Sequence, residues 1–397
     1  MKTITRACLA VFVLAPLSFT QASSSARDRA MGGVGVASAH PFTAMFVNPA
    51  LMTRSSDDFD FGWSPIYFAA GAADEDELVD RLEFFQDTLE ELQALIDGGD
   101  FVGANAKRPE LAAALADLDD RSLDFDITAT TSVMIPVGDW RLGLGVQNFV
   151  EGNALVRVDP NDITVINNPS STSADLDNLM SEGVMVAAGF TEAGVSLATN
   201  VEIAGVAVAL GVTPKYQQVR TFNYAIQVNQ FDDDDAFDDF QDDQFRTEES
   251  GFNLDVGAAV SLGDGITAGL SVRNLISDTY QTVATNGVAF DYKVEPRATV
   301  GVAVQGAGFT LSADADLTSL EGFEGLEDTQ LVRVGGEWDA WGWAQLRAGF
   351  VHDFEDGTQD LLSGGLGFSP FEILRIDLMA FAGDNAYGGG FQLALTL

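Results

Sequence analysis

From Gly251 to Arg273 the chain alternates with one break. Phe252, Leu254, Val256, Ala258, Val260 and Leu262 are apolar, while Gly251, Asn253, Asp255, Gly257, Ala259 and Ser261 between them are small or polar. After Gly263-Asp264-Gly265 the pattern resumes, with Ile266, Ala268, Leu270 and Val272 set against Thr267, Gly269, Ser271 and Arg273. A period of two puts successive side chains on opposite faces of a pleated strand. A Gly-Asp-Gly break between two such runs reads as a hairpin. The unit recurs as far as Leu397, always with one apolar and one polar face, and this confines the chain to an antiparallel all-β architecture.

The pattern predicts fourteen strands, at 58–70, 123–137, 141–151, 183–200, 206–229, 251–262, 266–278, 291–305, 309–318, 331–340, 343–353, 362–370, 374–382 and 388–397. Short connections (138–140, 201–205, 263–265, 306–308, 341–342, 371–373) alternate with long ones (71–122, 152–182, 230–250, 279–290, 319–330, 354–361, 383–387). An even count with this alternation marks a transmembrane outer-membrane β-barrel, with periplasmic turns and external loops. A sheet in lipid must close on itself, because hydrocarbon offers its edges no hydrogen bonds. Lys293, Glu295 and Arg297 interleave with Val294, Val300 and Val302, and Arg375 and Asp377 with Leu374, Ile376 and Leu378. A charge facing the bilayer midplane costs roughly 2–4 kcal/mol, so these charges are expected to face the lumen. A soluble β-sandwich would alternate too, with its apolar face inward, but it explains neither the even count nor the loop asymmetry. Trp140, Trp338, Trp341 and Trp343 all stand beside short turns, where one aromatic girdle would lie.

Charge and cysteine usage remove other classes. Among 397 residues, 20 are Lys or Arg and 60 are Asp or Glu, a formal charge of −40, which leaves no basic footprint for nucleic acid. Met1 to Ala22 reads as a secretory signal peptide: Lys2 and Arg6 precede the apolar run Ala7–Leu17, and Thr20-Gln21-Ala22 suits cleavage. Cys8 lies inside that leader, so the mature chain carries no thiol for disulfides or thiol catalysis. The domain reading is then 1–22 signal peptide, 23–57 N-terminal segment and 58–397 barrel. A helical insert at 74–121 occupies the first external loop. Asp74 can cap its first helix, with the stripe Leu78, Leu82, Phe85, Leu89, Leu92 and Ile96. The second helix is expected to start near Pro109 and to carry Leu111, Ala114, Leu115 and Leu118.

Ser23–Arg54 is rich in Gly, Ala and Ser and ends with Asn48-Pro49-Ala50 just before the first strand. With fourteen strands, this resembles the long-chain fatty-acid transporter (FadL-like) family of outer-membrane barrels. The resemblance implies that the segment folds into the lumen as a hatch, with Asn48, Pro49 and Ala50 as its motif; Leu51 stands where the family usually has glycine. A second set covers most of the mature chain: Arg29–Ala39, Val47–Leu51, Phe84-Phe85-Gln86-Asp87, Leu210–Gln217 and Ser250–Gly257. In this order they resemble the conjugal transfer protein TraF family. The name implies plasmid conjugation, yet a barrel without a mature cysteine cannot share the thioredoxin-like fold of the pilus-assembly protein of that name.

Asp232, Asp233, Asp234, Asp235, Asp238, Asp239, Asp242 and Asp243 place eight carboxylates in twelve residues. Their mutual repulsion favours a solvated external loop. The second reading is a weak Ca²⁺ site, since oxygen clusters suit calcium, although no Gly-bearing twelve-residue calcium loop is present. No other cofactor is expected. His40 and His352 are the only histidines. His40 falls in the hatch-like segment, where packing explains it, and no motif selects a serine to accompany His352-Asp353, so no enzyme is expected. The expected function is passive uptake of a small hydrophobic or amphipathic molecule, as the transporter resemblance implies. The alternative is a non-transporting structural or surface protein tied to conjugal transfer. Expected partners are outer-membrane lipid and lipopolysaccharide, the barrel-assembly machinery and a small apolar ligand.

Overall fold

The computed structural model describes residues 24–55, 61–74, 77–119, 121–229, 242–326, 328–355, 357–371 and 373–397. The wall begins with β1 (Gly62–Ala73), β2 (Ser122–Val137), β3 (Trp140–Arg157), β4 (Glu182–Ile203), β5 (Val206–Gln227), β6 (Arg246–Gly263) and β7 (Ile266–Arg273). Two short strands, β8 (Asp278–Gln281) and β9 (Asp291–Val294), come next. The wall then continues through β10 (Arg297–Gly306), β11 (Phe309–Asp316), β12 (Leu331–Asp339), β13 (Ala344–Asp353), β14 (Leu361–Phe368), β15 (Leu374–Gly383) and β16 (Ala386–Thr396). Among the described residues, every strand except β8 and β9 belongs to one closed antiparallel barrel of fourteen, with β1 sealed against β16 from Gly62↔Thr396 to Ala73↔Ala386. Closure leaves no strand edge to lipid.

The alternation sets the faces. On β6, Phe252, Leu254, Val256 and Val260 point outward, with Phe252 76% exposed, while Asn253, Asp255 and Ala259 are buried inside. The first turn of this hairpin has positive φ at Gly263, Asp264 and Gly265, which the two glycines accept without strain. Towards the periplasmic turns, Phe309, Trp338, Trp341, Trp343 and Phe368 form a continuous ladder of rings 6.0–6.5 Å apart, the interfacial girdle of one side. No helix of the described residues is long and apolar enough to cross a membrane.

The wall is uneven. Strands β2–β6 run 16–22 residues, whereas β7 and β10–β16 run 8–11. A tilted spanning strand needs about 9–11 residues, so β2–β6 project outside the membrane. On their outward faces Tyr216 meets Phe252 edge-on at 5.7 Å, and the next rungs carry Gln218 and Arg220 bonded to Glu248. This is where the apolar band ends. Above it stand helices α2 (Leu78–Asp97), α3 (Phe101–Ala116), α4 (Pro160–Asn167) and α5 (Ser173–Leu176), with α1 (Ala26–Ala30) inside the barrel. Phe85, Leu89, Leu92, Leu111, Leu115 and Leu118 pack with Ile166, Leu176 and the strand residue Val156. The helices thus bury their stripes against one another and the rim.

Two expectations are corrected. The helix expected to start near Pro109 starts at Phe101, because Asp100 accepts the Gly103 amide and caps it; Pro109 lies inside. The strands expected at 266–278 and 291–305 are each broken. β7 stops at Arg273, where Asn274 takes a positive φ and its amide turns to Asp255. β10 starts only after Pro296, which has no N–H for a ladder. The residues between form the β8–β9 hairpin, a separate two-stranded sheet. Lys293 is therefore not a wall residue with a lumenal charge: it pairs with Glu321, 2.5 Å away, outside the barrel sheet.

Candidate functional site: the barrel lumen

The lumen is filled in three layers. The lowest is the segment Ser24–Ser55, nearly all of it buried inside the strands. Helix α1 lies against β13–β16, and the 3-10 turn Pro49–Arg54 lies against β3–β6, so the segment crosses the lumen from wall to wall. Asn48 governs the crossing. Its Oδ1 accepts the Ala50 amide at 3.2 Å, and its Nδ2 donates to Val36 O within the segment and to Ala258 O of β6. Glycines of the wall stand where this turn comes closest. A Cβ at Gly257 would stand 2.0 Å from Asn48 Oδ1, and one at Gly211 would stand 2.4 Å from the Ala50 amide nitrogen. Gly269 and Gly349 meet the backbone of Val36 and of Met31–Gly32 in the same way. Glycine on the inner face therefore lets backbone lie directly on backbone.

Charges fasten the other side. Arg27 makes a two-pronged contact with Glu337 of β12, and Arg347 of β13 bonds both Glu337 and Asp377. Arg29 is bidentate to Asp126 of β2 at 2.8 Å for both bonds and lies 4.7 Å over the Phe381 ring. Asp314 of β11 accepts the amides of Gly35 and Val36 at 2.7 and 2.9 Å. Removing one member of a desolvated pair strands the other charge, so these contacts hold the segment in one position. His40 stacks on Phe42 at 5.4 Å; burial, and then the positive charges of Arg27, Arg375 and Arg347, hold its imidazole below the ordinary range. It is a neutral packing residue.

The middle layer is a belt of ion pairs. Lys215 bridges Glu192 and Asp255 at 3.1 Å each, Gln217 donates to Glu192, and Asp316 takes contacts from both Arg297 and Arg333. Between belt and hatch lies a cavity of about 80 Å³, lined among others by Asp28, Arg273, Arg297, Asp314 and Arg333. A water takes about 30 Å³ in the liquid, and an apolar cavity that accepts benzene is about 150 Å³. At that size the cavity has room for a few waters and is too small for benzene.

The uppermost layer is apolar. Phe149, Val184, Val186, Ala188, Phe190 and Val219, all on inward faces of β3–β5, bury Tyr280, Tyr292 and Val294 of the β8–β9 hairpin together with Phe323. Sequence reasoning missed these residues. A signal was present, since Phe149 sits between Gln147 and Glu151 in the polar register of its strand.

Other expected sites fall elsewhere. Asp232–Asp235, Asp238 and Asp239 lie outside the described residues. Asp242 and Asp243 lie at the foot of β6, with Asp243 paired to Arg246. His352 points outward near the external rim, with Nδ1 2.6 Å from Asp360 and its ring edge-on to Phe354.

Residues 45–316 match the family described as "F plasmid transfer operon, TraF, protein", which covers the NPA turn, the helical insert and the wall as far as β11. The chain belongs to this TraF family. No curated protein sequence matches it. Among solved structures, this TraF-family chain is similar to the Ralstonia pickettii toluene transporter TbuX, at 12% identity and a TM-score of 0.54, over 97% of this chain and 98% of that one. It is also similar to the TodX deltaS2S3 mutant monoaromatic hydrocarbon channel, at 11% identity and a TM-score of 0.53, over 94% and 97%. The TraF-family chain thus has the fold of the FadL-like outer-membrane transporter barrels.

Proposed function

We propose that this TraF-family barrel is a passive outer-membrane route for small hydrophobic or amphipathic molecules. The observation that carries the reading is the apolar lining of the upper lumen by Phe149, Val186, Phe190 and Val219. A water-filled pore has a polar interior, whereas a wall of aromatic and branched side chains takes up apolar solutes and repels ions. The similar barrels are named as carriers of toluene and other monoaromatic hydrocarbons, which agrees in ligand class. In this reading Met1–Ala22 is the cleaved leader, the solute arrives beside the helical cap, and it leaves past the hatch once the Asn48 turn lets go of β6. Uptake of labelled toluene and of a labelled long-chain fatty acid is compared in a deletion strain and the complemented strain. The complemented strain should accumulate at least one of them several-fold faster. Equal rates for both, with the protein present in the outer membrane, end the reading.

The ion-paired belt and docked hatch favour a second reading, a sealed structural barrel serving conjugal transfer. It predicts unchanged uptake and a defect in plasmid transfer in the same deletion strain.

A further inference from the structure

The β8–β9 hairpin occupies the place where a ligand of the upper lumen would sit. Its two roots, Arg273 at the end of β7 and Arg297 at the start of β10, both line the cavity above the hatch. Lifting the hairpin therefore uncovers the apolar layer down to the ion-paired belt that roofs that cavity. The ladder pairing of β6 with β7 begins only at Val256↔Val272; higher up, the chain leaves the wall and turns inward. The hairpin is not woven into the barrel sheet. It is held to the wall largely through side chains: Asn223 donates to Val283 O and Val288 O at 2.9 Å, Thr285 donates to Asn223 O, and Thr221 and Thr247 each donate to Gln281 O at 3.2 Å. Backbone bonds from Lys293 N to Gly322 O and from Glu324 N to Asp291 O tie it to the loop that carries Phe323, and no bond of the barrel ladder has to break for it to lift.

Tyr292 is its central residue. Its ring is 7% exposed, packed 5.5 Å from Phe190 and 4.9 Å from Phe323, while Phe190 stacks on Phe149 at 4.4 Å. The phenol donates to Glu151 of β3. Burial, and after it the Glu151 charge, push this phenol well above its ordinary range, so it remains a neutral donor. One six-membered ring tilted on Phe190 and edge-on to Phe323, with Phe149 stacked behind Phe190, has the geometry by which aromatic side chains hold a ring.

We propose that the β8–β9 hairpin is a displaceable outer gate, and that Tyr292 fills a binding site for a single-ring aromatic molecule made by Phe149, Phe190 and Phe323. The ligand binds by ejecting the Tyr292 ring, and Tyr292–Glu151 is the latch. The site deepens the uptake reading and rests on it for its use, but binding is measured without transport. The probe is fluorobenzene, followed by fluorine NMR on the purified barrel in detergent, with heat-modifiability confirming assembly. Tyr292→Ala empties the site and should bind fluorobenzene at least tenfold tighter than the wild type. Tyr292→Phe removes only the latch and should fall between them. Tyr292→Ala/Phe190→Ala should lose the gain. Binding by Tyr292→Ala no tighter than by the wild type overturns the site.

Should Tyr292→Ala fail to assemble, Asn223→Cys/Val288→Cys poses the same question, because the mature chain has no other thiol. The oxidised barrel should bind fluorobenzene at least tenfold more weakly than the reduced one. Equal binding, or failure of the pair to cross-link under copper–phenanthroline, overturns the docked hairpin. If binding behaves as stated and the deletion strain takes up solutes normally, only the transport reading fails.

Discussion

Asn48 does at the hatch what an N-cap does at a helix, and more. One side-chain oxygen closes its own 3-10 turn, while the amide nitrogen ties that turn to Val36 and to the barrel backbone at Ala258. Asn48→Ala keeps the fold of the barrel and leaves the Val36 and Ala258 carbonyls without this donor. Buried groups left in that way cost roughly 1–3 kcal/mol, so the hatch should be cut by protease at least tenfold faster in intact outer membranes. Gly257→Val should act in the same direction more strongly, since its side chain would occupy the position of Asn48 Oδ1. Cleavage at the wild-type rate in both would remove Asn48 from this role. His40 supplies the pH arm. Its folded-state pKa lies below the unfolded value of about 6.5, so protonation favours the undocked hatch. Its contribution is complete above that pH and declines below it. The loss of hatch protection on going from about pH 6.5 to 5 should therefore be greater in the wild type than in His40→Phe, read as the ratio of protease cleavage rates at the two pH values.

At the scale of elements, the wall was legible in the alternation and the hatch through the Asn48-Pro49-Ala50 resemblance, while the hairpin inside the wall was not. Lipid imposes a strict period of two on every spanning strand, so β2, β6 and β13 could be read directly from alternation. The β8–β9 hairpin alternates as well, in Thr279-Tyr280-Gln281 and Asp291-Tyr292-Lys293-Val294, so nothing periodic separates it from the wall. The local signs were Asn274 and Pro296, two breaks each tolerable in a strand edge. Arg29 and Asp126 are 97 residues apart, and no local pattern predicts such a pair. The inner glycines, among them Gly211, Gly257, Gly269 and Gly349, read as weak points in strands until the hatch is laid against them. The sidedness of a wall strand is tested directly by Leu144→Arg on the outward face of β3. It should cost roughly 2–4 kcal/mol of barrel stability in lipid, seen as a lower urea midpoint in vesicles. A midpoint within error of the wild type would place that face away from lipid.

At the scale of the whole molecule, the net charge is segregated. The lumen sets Arg27, Arg29, Lys215, Arg297, Arg333 and Arg347 against Glu337, Asp126, Glu192, Asp255, Asp316 and Asp377 in close pairs. The excess of acid behind the formal charge of −40 therefore falls largely on loops and the helical cap. A neutral interior with an apolar upper layer suits an uncharged solute, and in the proposed route the hairpin closes the lumen above and the hatch below. Conductance in planar bilayers reads both closures at once. The intact barrel should show no sustained openings, deletion of Ser23–Ala50 should give discrete steps, and removal of the β8–β9 hairpin as well should enlarge them. The same sealed trace from all three proteins would contradict a route through this lumen.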